Sequence, residues 1–487
     1  MSESLTPVAV HERIATLDVV RGFALLGIFL MNVEFFNRPL SDLDSGLPLN
    51  VTGIDYWAGW FVHVFVRGKF WTMFSLLFGM GFAVMLTRAE QAGRDFLKPY
   101  LRRTLALATF GTLHYIFLWA GDILSSYAMG AAFLLVVFYG RPKWLLVAAV
   151  VSLVCAAVLG GLTAAGVAKL PWPPFLLLGV PMLLFGVVAL ALRRAPLDAL
   201  RNAGLALYLV PCLALMVGGA LSPHQTQAER DRIALSEAKT PAEKAEVRKS
   251  LEKEAKARKE KADEIAAEAR ITSRGSYADV VAWRASHFLG NAGRETPFAM
   301  VFVLGMFLLG AWFVRSGVMI KPAAHLELFR ALTLYSLPLG LGISLIAAAT
   351  ATTRVEGQNE ALFTFSTGLS LAGNLATCLG YIGGLVLLFH SRMGGIAAMF
   401  APAGRMALTN YLMQSLVGTT FFYGYGLAHW GMGRAQQLLF VLVVFALQIA
   451  ISHWWLARFR YGPMEWLWRS ATYLRMPAMR QGALQSA

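Results

Sequence analysis

The sequence predicts an all-α polytopic membrane protein of about twelve transmembrane helices, with both termini cytoplasmic and one charged helical insert outside the membrane. Three observations predict it. Of 487 residues, 57% are hydrophobic and 15% charged, with mean hydropathy +0.56, where a soluble domain carries about 25% charged residues. Apolar stretches near the roughly 20 residues needed to cross a bilayer recur along the chain. Lysine and arginine gather in alternate loops, as the positive-inside bias requires.

Several function classes fall away. The net charge of +15 is loop charge of this kind, so no nucleic-acid partner is expected and membrane lipid is. Cys155, Cys212 and Cys378 lie within apolar runs, so neither a disulfide framework nor a metal site is implied. No Walker A loop is present, which argues against ATP-driven transport. The first apolar run lacks a cleavage-site pattern and reads as a retained span.

The first span is Ala15 to Phe36. The second, Ile54 to Leu86, is long and carries Gly68 and Lys69 in its middle. Further spans are expected near Arg103–Trp119, Ile123–Phe138, Trp144–Ala165, Phe175–Leu192, Ala203–Leu221, Thr296–Val314, Ala331–Thr350, Phe365–Phe389, Leu408–Tyr423 and Leu438–Ala457. Arg13, the Arg88–Arg103 loop, Arg141, Arg193, Arg194, Arg201, Arg315, Lys321, Arg392, Arg405 and Arg458 mark the cytoplasmic ends. The opposite loops, with Asp42, Asp44, the Gly121-Asp122 turn, Lys169–Pro174 and Glu356–Glu360, are acidic or neutral.

The insert, about Gln225 to Arg274, is rich in Ala, Glu, Lys and Arg. Thr240-Pro241-Ala242-Glu243 is a capping box with proline at the first helical position, so a short helix should precede Thr240 and a longer one follow it. The Arg458–Arg469 tail interleaves tryptophans with cations, the composition of a helix lying at the headgroups. Gripping an anionic cofactor is its alternative use.

Ionisable groups inside spans are costly and point to function. Asp18 and Arg21, spaced i, i+3, can form a structural ion pair or a ligand site. Asn32 lies about 21 Å further along the same helix, as interhelical glue or as a functional amide. His63 and Lys69 fall in the long second span, where either the helix breaks at Gly68 or the cation meets a polar cavity. His114 ends one helix and Asp122 begins the next, so a hairpin can join them. Such a pair is a general base oriented by a carboxylate, a proton relay, or a contact in which Asp122 caps its helix. Asn410 and Gln414 form a polar stripe that either knits helices or lines a tunnel.

Thr16-Leu17-Asp18-Val19-Val20-Arg21-Gly22, Gly68-Lys69-Phe70, His114 with Gly121-Asp122-Ile123-Leu124, Gly404-Arg405-Met406-Ala407-Leu408-Thr409-Asn410-Tyr411 through Gln414-Ser415, and Gly462-Pro463-Met464-Glu465-Trp466 resemble the YeiB-like family of bacterial inner-membrane proteins, with its C-terminal domain of unknown function. The first half also resembles the transmembrane acyltransferase superfamily that includes heparan-α-glucosaminide N-acetyltransferase. The resemblance, which leaves out the charged insert, implies an acyltransferase-like bundle over residues 1–221 and a YeiB-type transmembrane domain with its tail over 276–487, and the loop charges place the insert between them, 222–275, at the periplasm. It implies acyl-CoA, with acetyl-CoA expected, as a cytoplasmic donor substrate, no metal, and a glycan, lipid or small-metabolite acceptor. A homodimer is compatible with it. The superfamily helix Leu-Asp-x-x-Arg-Gly continues to a functional Asn, matched by Asn32. The lysosomal relative carries its histidine before the second span. Residues 42–57 contain none, which leaves His63 and His114 for that role.

The expected activity is therefore transfer of an acyl group from cytoplasmic acyl-CoA to a hydroxyl or amine at the periplasmic side. His114, Asp122, Asn32 and His63 are the candidates for chemistry. Asp18, Arg21, Lys69, Arg102 and Arg103 are the candidates for holding the donor. The alternatives are a metabolite transporter with a His114-Asp122 proton relay, and a non-catalytic scaffold presenting the charged arm.

Overall fold

A computed structural model describes residues 14–139, 142–165, 172–192, 195–223 and 225–481. Arg13, Arg141, Lys169, Arg193 and Arg194, used above for orientation, lie outside the described residues, as do both terminal segments. The described chain is helical, and its few β-contacts are isolated bridges. The first half contributes α1 (Ala15–Phe36), α2 (Gly53–Phe65), α3 (Lys69–Gln91), α4 (Leu97–Leu113), α5 (Leu124–Phe138), α6 (Pro142–Ala164), α7 (Pro173–Leu192) and α8 (Asp198–Leu221). The insert forms α9 (Gln227–Glu237) and α10 (Pro241–Arg274). Then follow α11 (Tyr277–Arg315), α12 (Leu326–Ala331), α13 (Leu337–Thr350), α14 (Glu360–Phe389), α15 (Gly394–Ala398), α16 (Ala401–Arg405), α17 (Ala407–Phe422), α18 (Arg434–Leu456) and α19 (Pro463–Tyr473).

Every stretch expected to span is helical, and among the described residues seven helical segments are long and apolar enough to cross a membrane. The protein is a polytopic all-α membrane protein. Two elements differ from expectation. The second span is two helices, because Gly68 takes φ +79°, a left-handed conformation that glycine adopts without strain and that ends the helical hydrogen-bond ladder. α11 begins well before Thr296. Ser276 and Asp279 form a capping box there, and the helix runs on through Pro297 into the apolar segment.

Among the described residues, contacts join several of these loops in two groups. At one end, the Glu268 carboxylate of α10 accepts from the Leu40 and Ser41 amides, Arg230 of α9 pairs with Glu360 at 2.8 Å, and the Leu47 amide donates to the Thr352 carbonyl. The arm is thus tied to the 37–52 and 351–360 loops. At the other end, Arg315 pairs with Glu90 at 3.4 Å and the Trp468 indole donates to the Arg103 carbonyl at 2.9 Å.

The first helix is the inner wall of the bundle. Val19, Val20, Ala24, Leu25, Phe29, Val33 and Phe36 are fully buried. Close approach is possible because small residues face it. A Cβ added at Gly404 would lie 1.8 Å from the Asp18 carbonyl oxygen, and one at Gly22 2.0 Å from that of Phe400. The two sequence halves interleave: α11 lies against both α3 and α8, with Gly79 against the Phe307 backbone and Gly310 against that of Leu76.

This packing predicts that Gly404→Val destabilises the protein by about 1–3 kcal/mol or more, since the obstacle is backbone and cannot rotate away. Gly395→Ala, where an added Cβ meets nothing within 4 Å, should stay within about 0.5 kcal/mol of the parent. Thermal unfolding in one detergent compares them, and equal midpoints would refute the tight α1 contact.

Candidate functional site: a basic-mouthed cavity and a buried Ser-His-Asp array

A cavity of about 270 Å³ opens at the basic end of the bundle. α1 supplies Asp18 and Arg21, α3 supplies Arg88, α4 Arg103, α16 Arg405 and α19 Arg469, all at its mouth. Further in, the lining is apolar and aromatic, with Ile28, Phe78, Leu107, Tyr127 and Tyr411. α3 contributes one face, since Phe74, Leu77, Phe78, Gly81, Phe82, Met85 and Arg88 recur at helical spacing. Arg21 pairs with Asp18 at 3.0 Å, their side chains 30% and 11% exposed, so the pair keeps solvent contact. Arg405 Nε is buried without a hydrogen-bond partner. The C-terminal helix closes one side of the mouth: Glu465 accepts from the Leu408 and Thr409 amides, which caps α17, and the Arg103 guanidinium lies 3.6 Å from the Trp468 ring centre.

Beyond the inner wall lies the histidine. The α4 helix ends in a turn of π-helix, His114–Leu118, a local widening often found at functional positions. The chain then turns and starts α5, with Asp122 just before it. His114 Nδ1 lies 3.0 Å from Asp122 Oδ1, with both side chains buried. Asp122 also accepts from the Leu124 and Ser125 amides at 3.2 and 2.9 Å. The hairpin contact and the cap, posed as alternatives by the sequence, coexist. The other ring nitrogen, Nε2, lies 2.8 Å from Ser415 Oγ of α17. An ionised carboxylate only accepts hydrogen bonds, so Nδ1 carries the proton. With the imidazole neutral, Nε2 is the acceptor and the Ser415 hydroxyl donates to it. This is the connectivity of a nucleophile, base and orienting acid. The Tyr411 ring is centred 5.1 Å from the His114 ring and also lines the cavity, so one aromatic side chain separates the two.

Asn32 is buried, and no hydrogen bond of its side chain occurs among the described residues. Gly22 meets Phe400 beside Gly404, and Phe36 meets Gly418. α1, which carries Asn32, therefore runs alongside the α16–α17 segment that carries Ser415.

The remaining sequence candidates sit elsewhere. Lys69 does not line the cavity. It starts α3 with Nζ fully buried and without a hydrogen-bond partner, beside Gly68, which approaches Asn374 of α14. Lys69 is therefore set apart from the cavity, which is lined by another face of α3. Arg102 also falls outside the lining, because consecutive helical residues point about 100° apart and Arg103 takes the inward position. His63 lies on α2, which packs against α13 and α18, and takes no part in the His114 hydrogen bonds. Asn410 and Gln414 bind Ser452 and Gln448 at 3.0 Å each and so knit α17 to α18. Sequence reasoning missed Ser415, Tyr411 and Arg405 as site residues, whereas Arg469 lies in the tail for which an anion-gripping use is the alternative. The spacing of Leu408, Tyr411 and Ser415 on one face of α17 was the signal available for three-residue clustering there.

Fold and site together define a polytopic helical membrane protein with a buried polar array beside a basic-mouthed cavity. The chain belongs to the YeiB-like family. It is 31% identical over 478 residues to the uncharacterized protein YxaH of Bacillus subtilis (strain 168), covering 97% of each chain. It is 29% identical over 470 residues to the uncharacterized protein YeiB of Escherichia coli (strain K12), covering 95% of this chain and 96% of that one. A family model described as a protein of unknown function (DUF418) matches residues 313–475. The matched region contains Ser415, Arg405 and α19, whereas His114 and Asp122 precede it.

Loss of the carboxylate at 122 strands a buried imidazole N–H and removes the cap of α5. Asp122→Ala should therefore cost about 1–3 kcal/mol, and Asp18→Asn, at the wetter mouth, under about 1 kcal/mol. Thermal unfolding of the two variants decides, and an equal loss would contradict the buried geometry.

Proposed function

We propose that this protein is a bacterial inner-membrane acyltransferase that draws an acyl group, acetyl being the expected one, from cytoplasmic acyl-CoA and delivers it to a hydroxyl or amine acceptor at the periplasmic side. The observation that carries this reading is the cavity that is cationic at its mouth, apolar along its length and stops one side chain short of His114. Acyl-CoA has the matching profile, a polyphosphate head on a long, weakly polar arm with a thioester at the tip. Arg21, Arg88, Arg103, Arg405 and Arg469 would hold the phosphates by charge-assisted hydrogen bonds. The arm would lie along Leu77, Phe78 and Tyr127. His114, oriented by Asp122, takes the proton released at the reacting carbonyl. The Asn32 amide is the candidate donor to the oxyanion, a contribution worth about 3 kcal/mol when aligned. The basic end of the bundle faces the cytoplasm in this reading, and the arm of α9 and α10 faces the periplasm.

CoA should bind the purified protein in detergent, raising its thermal midpoint, and free acetate should not. Arg405→Gln and Arg469→Gln should each weaken CoA binding about tenfold. With radiolabelled acetyl-CoA on the basic side of membrane vesicles, His114→Ala should abolish transfer of label while retaining CoA binding. Full transfer in that variant, or no CoA binding by the parent, overturns the reading.

Orientation is tested separately. A single cysteine at Lys256 in the arm should react with a membrane-impermeant maleimide in cells with a permeabilised outer membrane. One at Arg475, after α19, should react only once the inner membrane is opened. The reverse pattern would invert the topology and move the proposed donor site to the wrong side.

A further inference from the structure

The array at His114 holds more than a base. A histidine that only deprotonates a diffusible acceptor needs its free nitrogen open to that acceptor. Here Nε2 is occupied by Ser415 at 2.8 Å, from a helix 301 residues away in sequence. The alternative partner for the Ser415 hydroxyl, the Tyr411 carbonyl one turn back, is distant at 3.5 Å. Hydroxyls of spanning helices commonly bond only to that backbone carbonyl, so the shorter bond to imidazole is the distinguishing fact. Ser415 is itself buried, and the same histidine is fixed from behind by Asp122 at 3.0 Å. Each member is held from its own element: Ser415 by α17, His114 by the π-turn, Asp122 by the amides that begin α5.

Building on the acyltransferase reading, we infer that Ser415 is the nucleophile and carries the acyl group as a covalent ester between donor and acceptor. In the first half-reaction Ser415 Oγ bonds to the thioester carbonyl carbon, and its proton passes to His114 Nε2. The carbon–sulfur bond breaks, and the leaving thiolate takes that proton to become free CoA. In the second, the acceptor hydroxyl or amine attacks the ester carbonyl and gives its proton to Nε2. The carbon–oxygen bond to Ser415 breaks, and the serine recovers the proton. Donor and acceptor then never occupy the site together, which suits a cavity entered from the basic end and an acceptor expected from the other. Tyr411 must turn aside for the thioester to reach Oγ.

Two reagents on the reconstituted full-length protein separate this step from the donor reading. Acetyl-CoA without acceptor should acetylate the peptide containing Ser415, detected by mass spectrometry, in the parent and not in His114→Ala. A fluorophosphonate, which reports an activated serine whatever the natural donor, should modify the same residue with the same dependence. Ser415→Ala should keep the CoA-induced thermal shift and lose acetyl transfer by at least about a thousandfold. Ser415→Cys should trap a thioester released by neutral hydroxylamine. CoA binding with transfer persisting in Ser415→Ala overturns the covalent step and leaves the acyltransferase standing. Fluorophosphonate modification of Ser415 without CoA binding keeps the activated serine and overturns the donor.

Discussion

The close approach of the first helix to the α16–α17 segment is the constraint on which the rest of the molecule depends. In a bilayer, apolar side chains gain little by leaving lipid for one another, so helices associate through near backbone contact and interhelical hydrogen bonds. Gly22 and Gly404 permit that contact at the basic end and Gly418 at the other. One wall results, with Asp18 and Arg21 lining the cavity. α17 is held in the same register from its other side by the Asn410, Gln414, Gln448 and Ser452 hydrogen bonds. A polar residue placed on either helix is thereby fixed against its neighbours before any ligand arrives.

What could be seen in the sequence was whatever is local. The span positions, the sidedness of the loops and the capping box at Thr240 rest on periodicity and charge within short windows. The His114-Asp122 contact was visible because a short turn joins the two helices. Ser415 was not visible as their partner. It arrives from a helix far along the chain, and the face of α17 that meets the π-turn is set by tertiary contacts, the glycine contacts with α1 and the hydrogen bonds to α18. Lys69 misled for a related reason. A lysine in mid-span signals a polar environment, but not which neighbour supplies it, and here α14 lies beside it and the cavity does not.

Burial separates two kinds of charge in this protein. The arginines of the mouth stand where water, lipid headgroups or an anion can reach them. Their cost is moderate and their charge remains usable. The His114 group sits behind Tyr411, where each polar atom must be answered by the protein itself. Asp122 meets that demand with two amides and an imidazole, which leaves the imidazole one free lone pair, and Ser415 takes it. An arrangement so fully satisfied is held to one geometry by packing and hydrogen bonds.

The capping of α17 by Glu465 has a mechanical side. The carboxylate that fixes the first amides of the serine-bearing helix belongs to the same short helix whose Trp468 rests against Arg103 at the cavity mouth. Any displacement of that helix would load the foot of α17 as well. The cavity mouth and the foot of the Ser415 helix are held by one piece of the chain, so a disturbance at the threshold bears on Ser415 about two turns deeper.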